Sequence, residues 1–202
     1  MKVKVCGITN ISDAQDAISL GVNALGVIFY DKSERFVSFD QAAMLFNQIP
    51  TFVSRVGVFV NAPIEEVNLL TRQCQLDYVQ LHGEESVDYC LSCDAKVIKA
   101  FRVSSVDDLS SICQYQGVVN AILLDTKMKD TYGGTGLSFD WGIAISAKDY
   151  GIPLILSGGI NSSNINKAIE LVQPYAVDVN SSVETSPGKK DYNKMKTFFS
   201  FI

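Results

Sequence analysis

The chain has 202 residues, 47% of them hydrophobic and 19% charged, with a formal net charge of −5. That composition suits a soluble globular fold with a sizeable core, and the mild acidity excludes the basic footprint of a nucleic-acid or membrane-surface binder. No segment reaches the roughly 18 apolar residues of a membrane span, and the opening Met1-Lys2-Val3-Lys4-Val5-Cys6 lacks the apolar stretch of a signal peptide, so a cytoplasmic location is expected.

Short β-rich apolar runs alternate with helix-period segments from end to end. The first run is Val3 to Cys6. A helix follows, with Ser12 and Gln15 at capping-box spacing, Ala14, Ala17 and Ile18 on its apolar face, and Gly21 as its stop. The second run, Ala24 to Phe29, precedes a helix announced by Ser38 and Gln41 and carrying Ala42, Leu45 and Phe46 inward. The third, Val53 to Val60, leads to a helix starting near Pro63, with Ile64, Val67 and Leu70 as its stripe. Tyr78 to Leu81 is followed by a short helix around Val87 to Leu91. Lys96 to Phe101 is followed by a helix capped at Ser105 with Leu109 and Ile112 inside. After Val118 to Leu124 comes a glycine-rich loop, Tyr132-Gly133-Gly134-Thr135-Gly136, and a helix containing Trp141. The seventh run, Leu154 to Leu156, precedes Ile165, Ala168, Ile169 and Val172 at helical spacing. The eighth, Ala176 to Val179, precedes a helix holding Met195 and Phe198.

Strands separated by helices run parallel with right-handed crossovers. Eight such units without a linker read as one α/β domain over residues 1–202, a single (β/α)8 TIM barrel with a closed parallel sheet. The length is at the small end of the roughly 200–400 residues usual for that fold. An open doubly wound sheet is the alternative, disfavoured because no G-x-G-x-x-G follows the first strand.

The five cysteines, Cys6, Cys74, Cys90, Cys93 and Cys113, form an odd set that suits reduced thiols. Cys90 and Cys93 have metal-ligand spacing, but there is no second such pair and His82 is the only histidine, so they read as packing thiols and no metal is expected.

In a barrel of this kind chemistry sits at the C-terminal ends of the strands. The polar residues there are Cys6, Arg35, Gln80, His82, Asp125, Asp178 and Asn180, with Ser157-Gly158-Gly159 and Ser181-Ser182 in the last two loops. Gly158 and Gly159, ahead of a helix expected to begin near Asn161, suit a phosphate, because glycine lets the backbone approach and a helix start offers unpaired N–H groups. Each of the others has a plainer reading. Cys6 could be a small buried hydrophobe, Asp125 and Asp178 turn formers, His82 a loop-ordering residue and Arg35 a solvated one.

A series of short motifs runs along the chain: Lys4-Val5-Cys6-Gly7-Ile8-Thr9, Ser33-Glu34-Arg35-Phe36-Val37, Val79-Gln80-Leu81-His82-Gly83-Glu84 and Leu124-Asp125-Thr126. It continues in Gly133-Gly134-Thr135-Gly136 with Phe139-Asp140-Trp141, in Leu156-Ser157-Gly158-Gly159-Ile160, in Val177-Asp178-Val179, and in Val183-Glu184 with Pro187-Gly188-Lys189-Lys190-Asp191. In these motifs and their order the chain resembles the phosphoribosylanthranilate isomerases. The resemblance implies an aldose–ketose isomerase of tryptophan biosynthesis that needs no cofactor. Its substrate is a phosphorylated small molecule, N-(5-phosphoribosyl)anthranilate, converted to the 1-deoxyribulose by an Amadori rearrangement. It further implies Asp125 as general acid and Cys6 as general base. Arg35 is implied beside the anthranilate, Asp178 near its nitrogen and His82 in the same site, with phosphate held by Gly158, Gly159, Ser181 and Ser182. Ser182 stands where the family usually has glycine, which would crowd the turn at positive φ or add a hydrogen bond. Another phosphate-binding barrel enzyme and a non-catalytic barrel are the competing readings. A monomer is expected, with a homodimer as the alternative.

Overall fold

A computed structural model of the chain describes residues 1–126 and 141–202. The glycine-rich loop Tyr132 to Gly136, and Phe139 and Asp140, lie outside the described residues. Eight parallel strands close into a barrel in sequence order: β1 (Lys2–Val5), β2 (Ala24–Ile28), β3 (Ser54–Phe59), β4 (Tyr78–Leu81), β5 (Lys96–Val103), β6 (Ala121–Thr126), β7 (Leu154–Leu156) and β8 (Ala176–Val179). The expected fold is therefore the observed one. Between and after the strands lie α1 (Ile11–Ser19), α2 (Phe39–Phe46), α3 (Ile64–Cys74), α4 (Val87–Leu91), α5 (Trp141–Ala147), α6 (Ile165–Val172) and α7 (Tyr192–Phe199).

The apolar runs are continuous because these strands are buried on both faces. Alternate residues such as Val3 and Val5 on β1, Leu25 and Val27 on β2, and Ile122 and Leu124 on β6 join the helices in the large outer core. The opposite faces fill the barrel with a smaller cluster around Val56, Ile98, Leu123 and Ile155. Closure falls between β1 and β8, where Lys4 pairs in register with Asp178 and Val5 with Val179.

Several local expectations need correction. The first helix is capped by Asn10, whose side chain accepts from Asp13 N at 2.9 Å, and not by Ser12. Asn10 has the extended backbone a cap requires, whereas Ser12 already lies inside the helix. The Ser38/Gln41 capping box forms as expected. The segment after β5 is a 3-10 helix, Val106–Tyr115, whose buried residues Leu109, Ile112 and Tyr115 recur every third position. The sixth helix begins at Ile165 and not near Asn161. Asn161 instead folds a turn, its side chain accepting from Ser163 N and donating to the Gly159 carbonyl. After β8, a 3-10 turn (Ser181–Val183) and a small hairpin, β9 (Glu184–Ser186) and β10 (Lys189–Lys190), precede α7. Gly188 closes that hairpin at φ +76°, a conformation glycine adopts without penalty.

Candidate active site

A cavity of about 400 Å³ opens at the C-terminal end of the barrel. Cys6, Gln80, His82, Asp125, Asp178 and Asn180 line it from four strand ends, and Ser157, Gly158, Gly159, Ser181 and Ser182 complete its rim. A second cavity, about 430 Å³, opens at the opposite end among Lys2, Phe52, Tyr78, Lys96 and Tyr175. It contains none of the acid–base candidates, and the placement of catalytic groups at the C-terminal rim of such barrels favours the first cavity as the site.

Cys6 follows β1 directly and is 4% exposed. Burial pushes its thiol up from the ordinary value; the Lys4 ammonium draws it down and the Asp178 carboxylate pushes it further up. Lys4 Nζ donates to Asp178 Oδ1 at 2.9 Å, and both side chains are buried. Burial weighs against the lysine charge, but Asp178 and the Cys6 sulfur more than offset it, so the ammonium is held above its ordinary value. Burial pushes the Asp178 carboxyl up, against the pull of Lys4. The short contact makes the two an ion pair. Its partner-dependence is the point, because a buried charge without its counter-charge is strongly destabilising.

Asp125 is the penultimate residue of β6, its side chain is one-third exposed, and its Oδ2 lies 3.4 Å from His82 Nε2. The other ring nitrogen of His82, Nδ1, is 3.1 Å from the Gln80 amide nitrogen. A donor on that side leaves the Nε2 proton facing Asp125. The loop bearing His82 is braced from below. Lys99 donates to the carbonyls of Leu81 and Gly83 and pairs with Glu85 at 3.2 Å, while Glu85 accepts from the N–H groups of Gly83 and Asn61.

Arg35 arches over from the loop after β2. Its guanidinium grips Glu184 through Nε and NH2, the shortest contact being 2.7 Å. Lys190 donates to the other side of the same carboxylate at 2.8 Å and to Asn180 Oδ1 at 2.8 Å. Burial pushes Glu184 up, but these two cations outweigh it and hold the carboxyl below its usual range. Gly7, at φ +69°, lets the chain pass beneath this group, since a Cβ there would stand 2.7 Å from Asn180 Oδ1 and 2.8 Å from Arg35 Cδ.

Both Gly158 and Gly159 have φ +72°. Among the described residues, nothing accepts from the N–H groups of Gly158, Gly159 or Ile160. Ser182 does not adopt positive φ, so the serine side chain sits there without backbone strain, and its buried Oγ has no hydrogen-bond partner.

The family model for N-(5′-phosphoribosyl)anthranilate (PRA) isomerase matches residues 3–200. The chain belongs to that family. It is 46% identical over 198 residues to the N-(5′-phosphoribosyl)anthranilate isomerase of Geobacter metallireducens, covering 98% of this chain and 96% of the relative. A crystal structure of monomers generated from the dimeric Thermotoga maritima enzyme superposes with TM-score 0.89 at 39% identity, covering 100% and 97% of the two chains. A phosphoribosyl anthranilate isomerase in complex with reduced 1-(o-carboxyphenylamino)-1-deoxyribulose 5-phosphate superposes with TM-score 0.90 at 40% identity, covering 99% and 97%.

Every residue singled out in the sequence for acid–base chemistry or phosphate lines the one cavity, whereas Arg35 is tied to its edge through Glu184. Lys4, Glu184 and Lys190 were not given roles from sequence. The alternation Lys2-Val3-Lys4-Val5 gave no signal for Lys4, because it reads as a solvent-facing lysine at both positions, and only Lys4 is buried. Cys90 and Cys93 are free thiols, and among the described residues no three or more His, Cys, Asp or Glu side chains are grouped as metal ligands.

Among the described residues no helix is long and apolar enough to cross a membrane.

Proposed function

We propose that the chain catalyses the Amadori rearrangement of N-(5-phosphoribosyl)anthranilate to 1-(2-carboxyphenylamino)-1-deoxyribulose 5-phosphate, in the cytoplasmic pathway to tryptophan, and that residues 1–202 act as one catalytic domain. The observation that carries this reading is the convergence of a thiol, a carboxyl–imidazole pair and a turn with three successive unpaired backbone donors on one cavity. Asp125 gives a proton to the furanose ring oxygen, and the ring opens to a Schiff base. Cys6, as thiolate, takes the proton from C2, and the resulting enolamine tautomerises to the ketone. His82 Nε2 steadies the Asp125 carboxyl between the two steps. The N–H groups around Gly158 and Gly159, with Ser181 and the free hydroxyl of Ser182, bind the phosphate. Arg35 presents its guanidinium face to the anthranilate ring, since its edge is committed to Glu184.

The deciding experiment follows loss of substrate fluorescence, with substrate generated in situ. Cys6→Ser and Asp125→Asn should each lower kcat at least about 100-fold while product affinity and fold persist, since each general acid or base typically contributes about 10²–10⁴-fold. Near-normal turnover in both variants would reject the assignment. Turnover absent from the unaltered protein, with phosphate-bearing product analogues still bound, would instead support a non-catalytic barrel.

A further inference from the structure

The barrel beneath the cavity is apolar around Val56, Ile98, Leu123 and Ile155, yet β1 sends a lysine into it. Lys4 is 3% exposed, and an ammonium placed there alone would be strongly disfavoured. Asp178, its register partner on β8, accepts a hydrogen bond from the ammonium at 2.9 Å. On β2, the strand on the other side of β1, position 26 has no side chain. A Cβ on Gly26 would stand 2.8 Å from Cys6 Sγ and 3.1 Å from Lys4 Nζ. The missing side chain leaves sulfur and ammonium facing one another across that space. Gly57, by contrast, is hemmed in by Leu76, Phe59 and Phe29 and makes room only for packing.

We propose that Lys4 is a positioning residue for the reaction: its buried ammonium, anchored by Asp178, sits under Cys6 to hold the sulfur as thiolate ready to accept the C2 proton. The proposal rests on the reading of Cys6 as the base. Before the transfer, Lys4, Asp178 and the Cys6 thiolate together carry one negative charge. The proton passes from carbon to sulfur, its bonding pair stays with the substrate, and the three groups become neutral while Lys4 keeps its charge. A thiolate in a closed, largely apolar barrel needs a fixed cation close by, and of the two lysines on β1 it is Lys4 that is buried beside the sulfur. The other charged groups facing Cys6 are Asp178 from β8, Lys190 from β10 and Arg35 from the loop after β2, with Asp125 and His82 across the mouth. Glu184 holds Lys190 and Arg35 toward itself, and among the cations Lys4 exerts the largest attraction on the sulfur, ahead of Lys190.

A purely structural lysine would balance Asp178 and have no further effect. The two roles separate in the pH dependence of Cys6 alkylation by iodoacetamide, read on the Cys6 peptide by mass spectrometry in the intact protein. Lys4→Met should raise the midpoint by a unit or more, lowering the alkylation rate below the midpoint at least about tenfold, because rate follows thiolate fraction. Lys4→Arg should restore most of that loss. Asp178→Asn should move the midpoint the other way, since it removes the carboxylate that opposes the thiolate. An unchanged midpoint in folded Lys4→Met overturns the proposal. Where Lys4→Met does not fold, Lys4→Gln decides: a raised midpoint supports the proposal, and an unchanged or lowered one overturns it. Alkylation needs no turnover. If Cys6→Ser were to retain full activity, the assignment of the base would fail while the coupling of Lys4 to the thiol was still measured.

Discussion

Arg35 shows how much a single side chain depends on its partners. Free in solvent, a loop arginine contributes little to binding. Here Glu184 fixes the guanidinium through two nitrogens, and Lys190 fixes Glu184 in turn. Arg35→Ala should raise KM at least about tenfold, the loss of one charge-assisted or cation–π contact of about 1.4 kcal/mol. Arg55→Ala, which removes a half-buried arginine whose side chain bonds Gln75 and the Ile49 carbonyl away from the cavity, should leave KM unchanged. Equal effects from the two, with both proteins folded, would refute the role. Glu184→Gln should reproduce part of the Arg35 effect and give it a pH signature. Because the folded carboxyl lies below its usual range, its clamp on Arg35 is fully present above the unfolded glutamate value of about 4.3 and is lost as pH falls through the lower folded value. Binding of a product analogue by the unaltered protein should hold down to that range, and fluorescence titration against pH would show it.

At the scale of elements, the ends of helices carried the errors and their apolar faces did not. Ala14, Ala17, Leu45, Val67, Ala168 and Val172 are all buried as their spacing implied, because burial of a stripe depends on many residues together. A cap depends on one residue's backbone angles, and Asn10 and Ser12 both fit the sequence pattern. Asn10→Ala should cost roughly 1 kcal/mol in urea unfolding, while Ser12→Ala should cost almost nothing; the reverse order would restore the sequence-based cap. The 3-10 helix was legible in retrospect, since Leu109, Ile112 and Tyr115 repeat at three and never at four. The β9–β10 hairpin was not, being too short and too polar for alternation to register. The turn carrying Gly158 and Gly159 is likewise set by backbone angles. Open space surrounds a Cβ at Gly159, so the penalty for Gly159→Val is conformational and local. It should raise KM at least about tenfold with a modest loss of stability, in line with a misplaced phosphate contact of about 1.4 kcal/mol. An unchanged KM would detach this loop from the phosphate.

For the molecule as a whole, strand count and order were readable because eight apolar runs repeat without interruption, and closure follows once each run pairs with the next. What could not be read was which charges the barrel interior would hold, since Lys4 and Asp178 meet only through closure. The described candidate site residues of one copy converge on one cavity, so activity from a single copy is the expected outcome. Light scattering should return a mass near 22.1 kDa, with specific activity independent of dilution; a doubled mass, or activity lost on dilution, would assign a functional role to a second copy. The bond between Lys4 and Asp178 spans 174 positions of sequence. Contacts of such separation form late, because the chain between them must be ordered first. The thiol and the carboxylate beside it therefore belong to opposite ends of the growing polypeptide. A ribosome-bound nascent chain can hold most of the barrel and still have no active site until β8 swings in beside β1, so chemistry begins only when folding is nearly done.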